Sequence, residues 1–359
     1  MKKVHVSLAT RLVGITIALL GFGLIMIYSA SVAEAAKAFG NKWYFVLLQV
    51  KWAVAGLLAM FVVSRLPTRL WERFAPLLMG AGVALLLAVL IPGIGSKVQG
   101  ARRWIALPGV TLQPAELIKF VEVVYLSSWL GKRKVTFVQF GFLVAALAGL
   151  IMLEPDMGTM LVVTSLAIAV YFVNGYPFRS LLVIAAAGAV AVLGLILVEP
   201  YRMARLTTFL NPNADTQGAS YHIHQVLLAL GSGGISGVGI GRSRQKYQYL
   251  PEATTDSIFA VTGEELGFVG GCILIGAFIY FLSLSFKIAA SSRNQFNSSL
   301  AAGMGAWFGI QVFLNLAAMV AFAPLTGVPL PLVSYGGSSL VTMLMGVGVI
   351  LGVAREEKI

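Results

Sequence analysis

Uninterrupted apolar stretches of about 17 to 25 residues recur along almost the whole chain. A helix needs about 20 apolar residues to cross the hydrocarbon core of a bilayer, where its backbone must satisfy its own hydrogen bonds. Membrane β-barrels show instead segments of about ten residues with alternating polarity. Because the runs here are long and apolar on every face, the sequence predicts an all-α polytopic membrane protein.

Composition and charge agree with this class. Of the 359 residues, 58% are hydrophobic and 11% are charged, which lies outside the usual range of soluble proteins. A net charge of +12 would suit a nucleic-acid partner in a soluble protein. In a membrane protein it reflects cytoplasmic Lys and Arg instead, so no nucleic-acid partner is expected.

Ten of the apolar stretches are predicted to span the membrane. They cover residues 12–31, 43–64, 74–92, 114–130, 137–153, 158–174, 180–198, 258–286, 299–322 and 336–353. All belong to one integral membrane domain, residues 1–359, with one large polar loop at about residues 199–257, between the seventh and eighth helices.

The short loops set the orientation. With the amino terminus in the cytoplasm, 14 of the 26 Lys and Arg residues lie on cytoplasmic segments next to helix ends, as the positive-inside rule requires. Both termini are therefore predicted to be cytoplasmic, and the large polar loop extracytoplasmic. This topology also places two cation-rich segments outside, and together they hold Lys97, Arg102, Arg103, Arg202, Arg205, Arg242, Arg244 and Lys246.

Cations kept on the outer side suggest an anionic ligand, although long loops are translocated regardless of charge. In the shorter segment, Arg102 and Arg103 precede Trp104, a combination suited to a phosphate or phosphosugar at the membrane surface. A glycine-rich run at residues 231–241 follows a predicted short helix at residues 218–231. It could present N–H groups to an anion or act as a flexible tether, and the sequence does not decide between them.

Ionisable groups at membrane depth are costly and mark a site or a pathway. Glu116 and Lys119 are three residues apart and therefore lie on one helix face. They could form part of a substrate site or a structural ion pair. Asp156 lies at the break between the fifth and sixth spans, where unwound backbone must line a cavity or be covered. Glu264, inside the eighth span, is expected to be a hydrogen-bonded structural acid.

Asp256 lies where the polar loop gives way to the eighth span. It could cap that helix, and the same carboxylate could also be catalytic. Desolvation would raise its pKa towards the range of a general base, whereas nearby Arg would lower it. A zinc site at His222 and His224 is not expected, since no Cys or second His pair accompanies them.

Several segments, in order along nearly the whole chain, resemble the SEDS family (shape, elongation, division and sporulation proteins), peptidoglycan glycan-chain polymerases of the FtsW and RodA type. The matching segments are residues 23–31, 100–104, 113–119, 154–159, 232–234, 249–252, 256–267 and 329–338. Each segment alone is a weak signal, and the ordered set is specific. Residues 245–251 and the Glu-Glu-Leu-Gly run at 264–267 favour the division branch.

The resemblance implies a ten-helix fold with a large outer loop between helices seven and eight. It also implies an essential Asp at Asp256 and functional roles for Glu116 with Lys119 and for Asp156. Family members often carry His and Phe where this chain has Thr254 and Ser257, which puts the packing of that loop in doubt.

The implied activity is inverting polymerisation of lipid II, an undecaprenyl diphosphate-linked disaccharide-pentapeptide, at the outer face of the bacterial cytoplasmic membrane. Asp256 would act as general base. The negative charge of the leaving diphosphate would be balanced by Arg102 and Arg103, together with Arg242, Arg244 or Lys246. Mg²⁺ or Mn²⁺ is the candidate metal. Expected partners are a class B penicillin-binding transpeptidase, other division or elongation proteins, and membrane lipid.

Three alternatives stay open at this point. A flippase of the same lipid precursor would also show buried Glu116, Lys119 and Asp156. A scaffold that recruits the transpeptidase is compatible with catalysis. The chain could also be the cell-elongation paralogue of the same polymerase.

Overall fold

The computed structural model describes residues 7–98, 101–107, 110–132, 135–198, 200–210, 218, 220–247 and 249–358. Within those ranges the chain forms twelve α-helices and three β-strands. The helices are α1 (Leu8–Phe39), α2 (Tyr44–Arg65), α3 (Thr68–Leu90), α4 (Pro114–Lys132), α5 (Phe137–Leu153), α6 (Met157–Val173), α7 (Phe178–Val198), α8 (Pro200–Leu210), α9 (Tyr221–Gly233), α10 (Ile258–Ser291), α11 (Gln295–Met319) and α12 (Gly337–Glu356). The strands are β1 (Gly95–Val98), β2 (Ala101–Leu107) and β3 (Val110–Leu112).

Each of the ten apolar stretches coincides with a helix, α1 to α7 and α10 to α12, while α8 and α9 lie in the polar loop. In the described part of the chain, six helices are long and apolar enough to cross a membrane: α1, α2, α3, α10, α11 and α12. Helices α5 and α6 are apolar but shorter. The predicted class, a polytopic helical membrane protein, is confirmed, while the count of ten crossings remains a prediction.

Helices α11 and α12 form the centre of the bundle. Most of their side chains are buried, including Trp307 and Phe308 on α11. By contrast, α2 and α3 expose large apolar side chains such as Leu58 and Leu77. Apolar side chains on the outside of a helical bundle are what a lipid environment requires.

A small antiparallel sheet connects α3 to α4, in the order β1-β2-β3. No strands were predicted in this segment, because strands of four, seven and three residues carry too little alternation of polarity to be detected from sequence. Ser96 pairs with Trp104 and Lys97 with Arg102, so Arg103 is the extra residue of a β-bulge. The sheet therefore gives the Arg-Arg-Trp segment a fixed shape.

Helix α10 kinks at Gly267, which adopts φ 68° and ψ −167°. The glycine-rich run packs into this kink: Phe268 N donates to Gly234 O (2.9 Å), and Val269 N donates to Ile235 O (3.1 Å). In return, the Val238 and Gly239 N–H groups donate to carbonyls of α10. This part of the run is therefore docked on α10, and those two N–H groups are occupied by protein carbonyls.

The kink predicts a sharp requirement for glycine at position 267. A Cβ atom there would lie 2.3 Å from Gly237 N, and the backbone conformation is one that only glycine adopts readily. We expect Gly267→Ala to destabilise the protein by at least about 2 kcal/mol, measured as a lower Tm in detergent. Gly276→Ala, on the same helix with open space around it, is the control and should leave Tm almost unchanged. Equal Tm values for both variants would contradict the strain at the kink.

Candidate functional site

Asp256 lies in the last turn before α10, and its side chain is about 9% exposed. The possible capping role is not realised, because the N-cap of α10 is Ser257. Instead, the Asp256 backbone carbonyl accepts a hydrogen bond from Asn315 Nδ2 on α11 (2.7 Å). Asn315 Nδ2 also donates to Val328 O (2.9 Å). One buried amide thus joins the Asp256 turn to the segment between α11 and α12.

That segment, residues 320–336, contacts the Asp256 turn again. Tyr335 N donates to Thr254 O (2.8 Å), and Ser334 Oγ donates to Thr255 O (2.5 Å). Within the turn, the N–H of Ser257 donates to Glu252 O (3.1 Å). Hydrogen bonds therefore fix the backbone on both sides of Asp256, and with it the point from which the side chain extends.

The environment of Asp256 disfavours its charged form. Burial raises the pKa of its carboxyl to about 6, and the negative charge of Glu252 acts in the same direction. Hydrogen bonds, including one from Thr255 Oγ1 at 3.2 Å, and the positive charge of Arg205 lower the pKa. Both opposing effects expected from sequence are present, and desolvation is the larger one.

A cleft of about 300 Å³ lies beside this turn, between α8, α9 and residues 321–325. Arg205 and His222 line it. Arg205 Nη1 donates to Leu325 O (2.7 Å), and His222 Nε2 lies 2.7 Å from Ser257 Oγ. Arg205 and His222 therefore belong both to the lining of the cleft and to the surroundings of Asp256. Neither was predicted at this position from sequence.

The break between α5 and α6 brings two predicted site residues together. Arg103 Nε donates to Glu154 O (2.9 Å), and Arg103 Nη2 donates to Pro155 O. Asp156 caps α6, with its carboxylate 3.0 Å from both Thr159 N and Thr159 Oγ1. These contacts hold Arg103 and Asp156 within the protein framework, while Arg102 and Trp104 are half-buried on β2.

Beside this break, the Glu154 side chain is fully buried. The pKa of its carboxyl is raised to about 8, mainly by desolvation and also by the negative charge of Asp156, while the positive charge of Arg103 opposes the shift. The break is also adjacent to the Asp256 turn. A Cβ on Gly158 would lie 2.2 Å from Thr326 O, and one on the next residue of that segment, Gly327, would lie 3.9 Å from Asp256 Oδ2.

Glu116 and Lys119 form a buried ion pair, with Lys119 Nζ 2.6 Å from Glu116 Oε1. Lys119 Nζ also donates to Gln311 Oε1 (3.2 Å) on α11. Gln311 is one helical turn from Asn315, so the same face of α11 contacts the ion pair and the Asp256 turn. Among the alternatives left open by the sequence, this geometry favours a structural ion pair.

The cations expected in the polar loop separate into two groups. Arg242 and Arg244 are exposed, whereas Lys246 is buried. Lys246 Nζ pairs with Glu265 Oε1 (3.2 Å) and donates to Gly241 O (2.6 Å). Glu264 accepts a hydrogen bond from the Arg244 N–H (2.8 Å), so it is the structural acid that was expected. Lys246 is therefore occupied by contacts within the protein.

The roles of Asn315 and Gln311, the two residues that connect these features, were not predicted from sequence. Both are buried on α11, four positions apart. Two amide side chains on one face of an otherwise apolar helix could have indicated this role, since polar groups at membrane depth need hydrogen-bond partners.

The buried ion pair predicts strong coupling between its two members. Lys119→Met would leave the Glu116 carboxylate buried without its cation, and we expect a loss of about 3–5 kcal/mol of stability. The double variant Glu116→Gln/Lys119→Met should recover most of the loss, because no charge is then left unpaired. Thermal unfolding of the single and double variants in detergent measures this coupling. Additive losses would show that the two side chains act independently.

The chain is similar to known proteins over nearly its whole length. Residues 10–359 match the FtsW/RodA/SpoVE family, described as a cell cycle protein. Two relatives align over nearly their full lengths. The probable peptidoglycan glycosyltransferase FtsW of Coxiella burnetii is 39% identical over 96% of this chain and 95% of its own length. Stage V sporulation protein E of Bacillus subtilis is 39% identical over 97% of both chains.

A solved structure is also similar. It belongs to work on the coordination of polymerization and crosslinking by a peptidoglycan synthase complex, and it matches with a TM-score of 0.80. Sequence identity is 30%, and the match covers 97% of both chains. At this identity and coverage, the likeness extends to the arrangement of the whole helical bundle.

Proposed function

The chain belongs to the FtsW/RodA/SpoVE family of cell cycle proteins, and we propose that Asp256 is the general base of its glycan-forming reaction. The protein is a peptidoglycan glycosyltransferase, which is the activity in the name of its relative from Coxiella burnetii. The observation that carries the proposal is a buried carboxylate, with its pKa raised to about 6, fixed beside a cleft. Such a group is mostly deprotonated at neutral pH and still basic enough to accept a proton.

The proposed substrate is lipid II in the outer leaflet. Asp256 takes the proton from the 4-hydroxyl of the acceptor sugar while that oxygen attacks the anomeric carbon of the lipid-linked glycan. The bond from that carbon to the diphosphate breaks, and the diphosphate leaves with the electron pair. A direct displacement inverts the anomeric centre, so the α-linked donor becomes a β-1,4 linkage.

Cations must balance the charge that develops on the leaving diphosphate. We assign this role first to Arg205, which faces the cleft and acts on the charge of Asp256. Arg102 and Arg242, with Trp104 as a stacking surface, remain proposed contacts to the lipid-linked sugar and its phosphates. Other expected site residues are proposed to support the site through the contacts described above: Arg103, Glu116, Lys119, Asp156 and Lys246.

A divalent cation fits this site only together with substrate. Within the described residues, no cluster of three His, Cys, Asp or Glu side chains could hold a metal alone. Mg²⁺ commonly binds one or two carboxylates plus substrate phosphates, and Glu252 with Asp256 would supply those carboxylates. When bound, Mg²⁺ or Mn²⁺ would neutralise charge on the diphosphate.

The proposed topology has ten membrane crossings with both termini in the bacterial cytoplasm. The polar loop with α8 and α9, the β-sheet and the α5–α6 break then all lie on the outer side. The convergence of these segments around Asp256 supports this arrangement. The proposed partner is a class B penicillin-binding transpeptidase, supported by the similar structure from a complex that couples polymerization and crosslinking.

Replacing the carboxyl group of Asp256 by an amide tests its catalytic role. Asp256→Asn removes the base while keeping shape and hydrogen-bonding capacity, and we expect at least a 100-fold loss of glycan formation from lipid II. Glu34→Gln, an exposed acid on α1, is the matched control and should keep normal activity. The assay is lipid II polymerisation by purified protein, with and without a cognate transpeptidase and Mg²⁺. Polymerisation by Asp256→Asn at the normal rate would remove Asp256 from the reaction.

The raised pKa predicts opposite effects of pH on rate and stability. The rate should rise with pH through about 6, as Asp256 loses its proton. Because the folded pKa lies above the ordinary value of 3.8, the contribution of Asp256 to stability falls as pH rises from about 4 to about 6. Asp256→Asn should therefore have a higher Tm than the unmodified protein at pH 7, measured in detergent. A lower Tm at pH 7 would contradict the burial of the charged form.

A flippase of the same precursor is the competing function. The buried Glu122, whose carboxylate oxygens have no hydrogen-bond partner in the described part of the chain, is the observation that favours it. Reconstitution into liposomes separates the two functions, since a polymerase forms glycan strands and a flippase only moves the lipid.

A further inference from the structure

Ser257 holds the N-cap position of α10 but does not cap the helix. Its side chain is fully buried and makes no capping hydrogen bond to the first turn. A Ser at this position usually accepts a hydrogen bond from a backbone N–H of that turn, at a gain of about 1 kcal/mol. Here its Oγ lies 2.7 Å from His222 Nε2 instead. The hydroxyl next to Asp256 is thus directed to another helix.

That helix is α9, and His222 is the second residue of its first turn. The contact complements the one made from α11. Asn315 holds the backbone carbonyl of Asp256 (2.7 Å), and His222 holds the side chain of the following residue (2.7 Å). The Asp256–Ser257 peptide is therefore tied to two different helices, one on each side of the acid.

Burial keeps the imidazole of His222 neutral. Burial lowers its pKa to about 4, Glu252 opposes this shift, and Arg205 reinforces it. These two residues are also the charged groups that act on Asp256. A neutral ring at the wall of the cleft adds no positive charge beside the Asp256–Ser257 peptide.

We propose that His222 is a positioning residue for glycan polymerisation: through its hydrogen bond to Ser257 Oγ it holds the Asp256–Ser257 peptide in place from α9. The proposal rests on the proposed function, in which Asp256 is the base. His222 itself does not transfer the proton. Its effect on the reaction passes through Ser257 and the position of the carboxylate.

The test uses the purified full-length chain and lipid II. For His222→Ala we expect the rate at saturating lipid II to fall about tenfold, the effect of losing one buried hydrogen bond, with KM changed less than twofold. Ser257→Ala should cause the same loss, and the double variant should be no slower than either single variant. His222→Gln, which can still reach Ser257 with its amide, should recover at least half of the rate.

His224→Ala is the matched control. This residue lies two positions along α9, so its side chain points to a different side of the helix, and its removal should leave the rate within twofold. The pH profile gives a readout that a purely structural role would not move. If the hydrogen bond from α9 holds the Asp256–Ser257 peptide in its buried position, its loss lets the carboxylate relax towards solvent. The acidic limb of the rate profile should then shift to lower pH in His222→Ala and remain in place in His224→Ala.

The possible outcomes distinguish the two proposals. If Asp256→Asn is inactive while His222→Ala and Ser257→Ala polymerise normally, the positioning role is overturned and the general base stands. Additive losses in the double variant also overturn it. If Asp256→Asn polymerises normally, the general base itself fails. Should His222→Ala not fold, Ser257→Ala, which removes a single hydroxyl, decides the question with the same assay and pH profile.

Discussion

The site depends on one buried amide, Asn315, which donates to the carbonyls of Asp256 and Val328. In a low-dielectric interior, such hydrogen bonds are strong, and leaving the carbonyls without them would be costly. The donor sits on α11, whose side chains are mostly buried, so its position is set by the packing of the whole bundle. Asp256, in the turn before α10, is therefore held in place by the central helix itself.

Segments far apart in sequence meet around this point. The α5–α6 break touches the 320–336 segment through Gly158, and that segment reaches the Asp256 turn through Ser334 and Tyr335. Arg103 donates to a backbone carbonyl of the α5–α6 break, and Lys246 donates to the carbonyl of Gly241 in the glycine-rich run. Part of the unusual positive charge of these polar segments thus stabilises the protein framework around the site.

Much of this could be read from the sequence. The uninterrupted apolar stretches located ten helices, α1 to α7 and α10 to α12, and Asp256 was placed at the junction of polar and apolar sequence. The capping role considered for Asp256 was wrong by one residue, because cap geometry depends on local hydrogen bonds that composition does not specify. The small sheet, the Arg103 bulge and the His222 contact were not predicted, since each depends on which segments meet in space.

The supports of Asp256 have a consequence for how the protein is made. The acid is at position 256, but its clamping groups are Asn315, Ser334 and Tyr335, which leave the ribosome much later. A nascent chain that has inserted α10 carries the carboxylate without these three groups. The full set of hydrogen bonds that holds the Asp256 turn is therefore available only when synthesis is nearly complete, and a chain that stalls before α11 lacks the part that comes from α11 and the 320–336 segment.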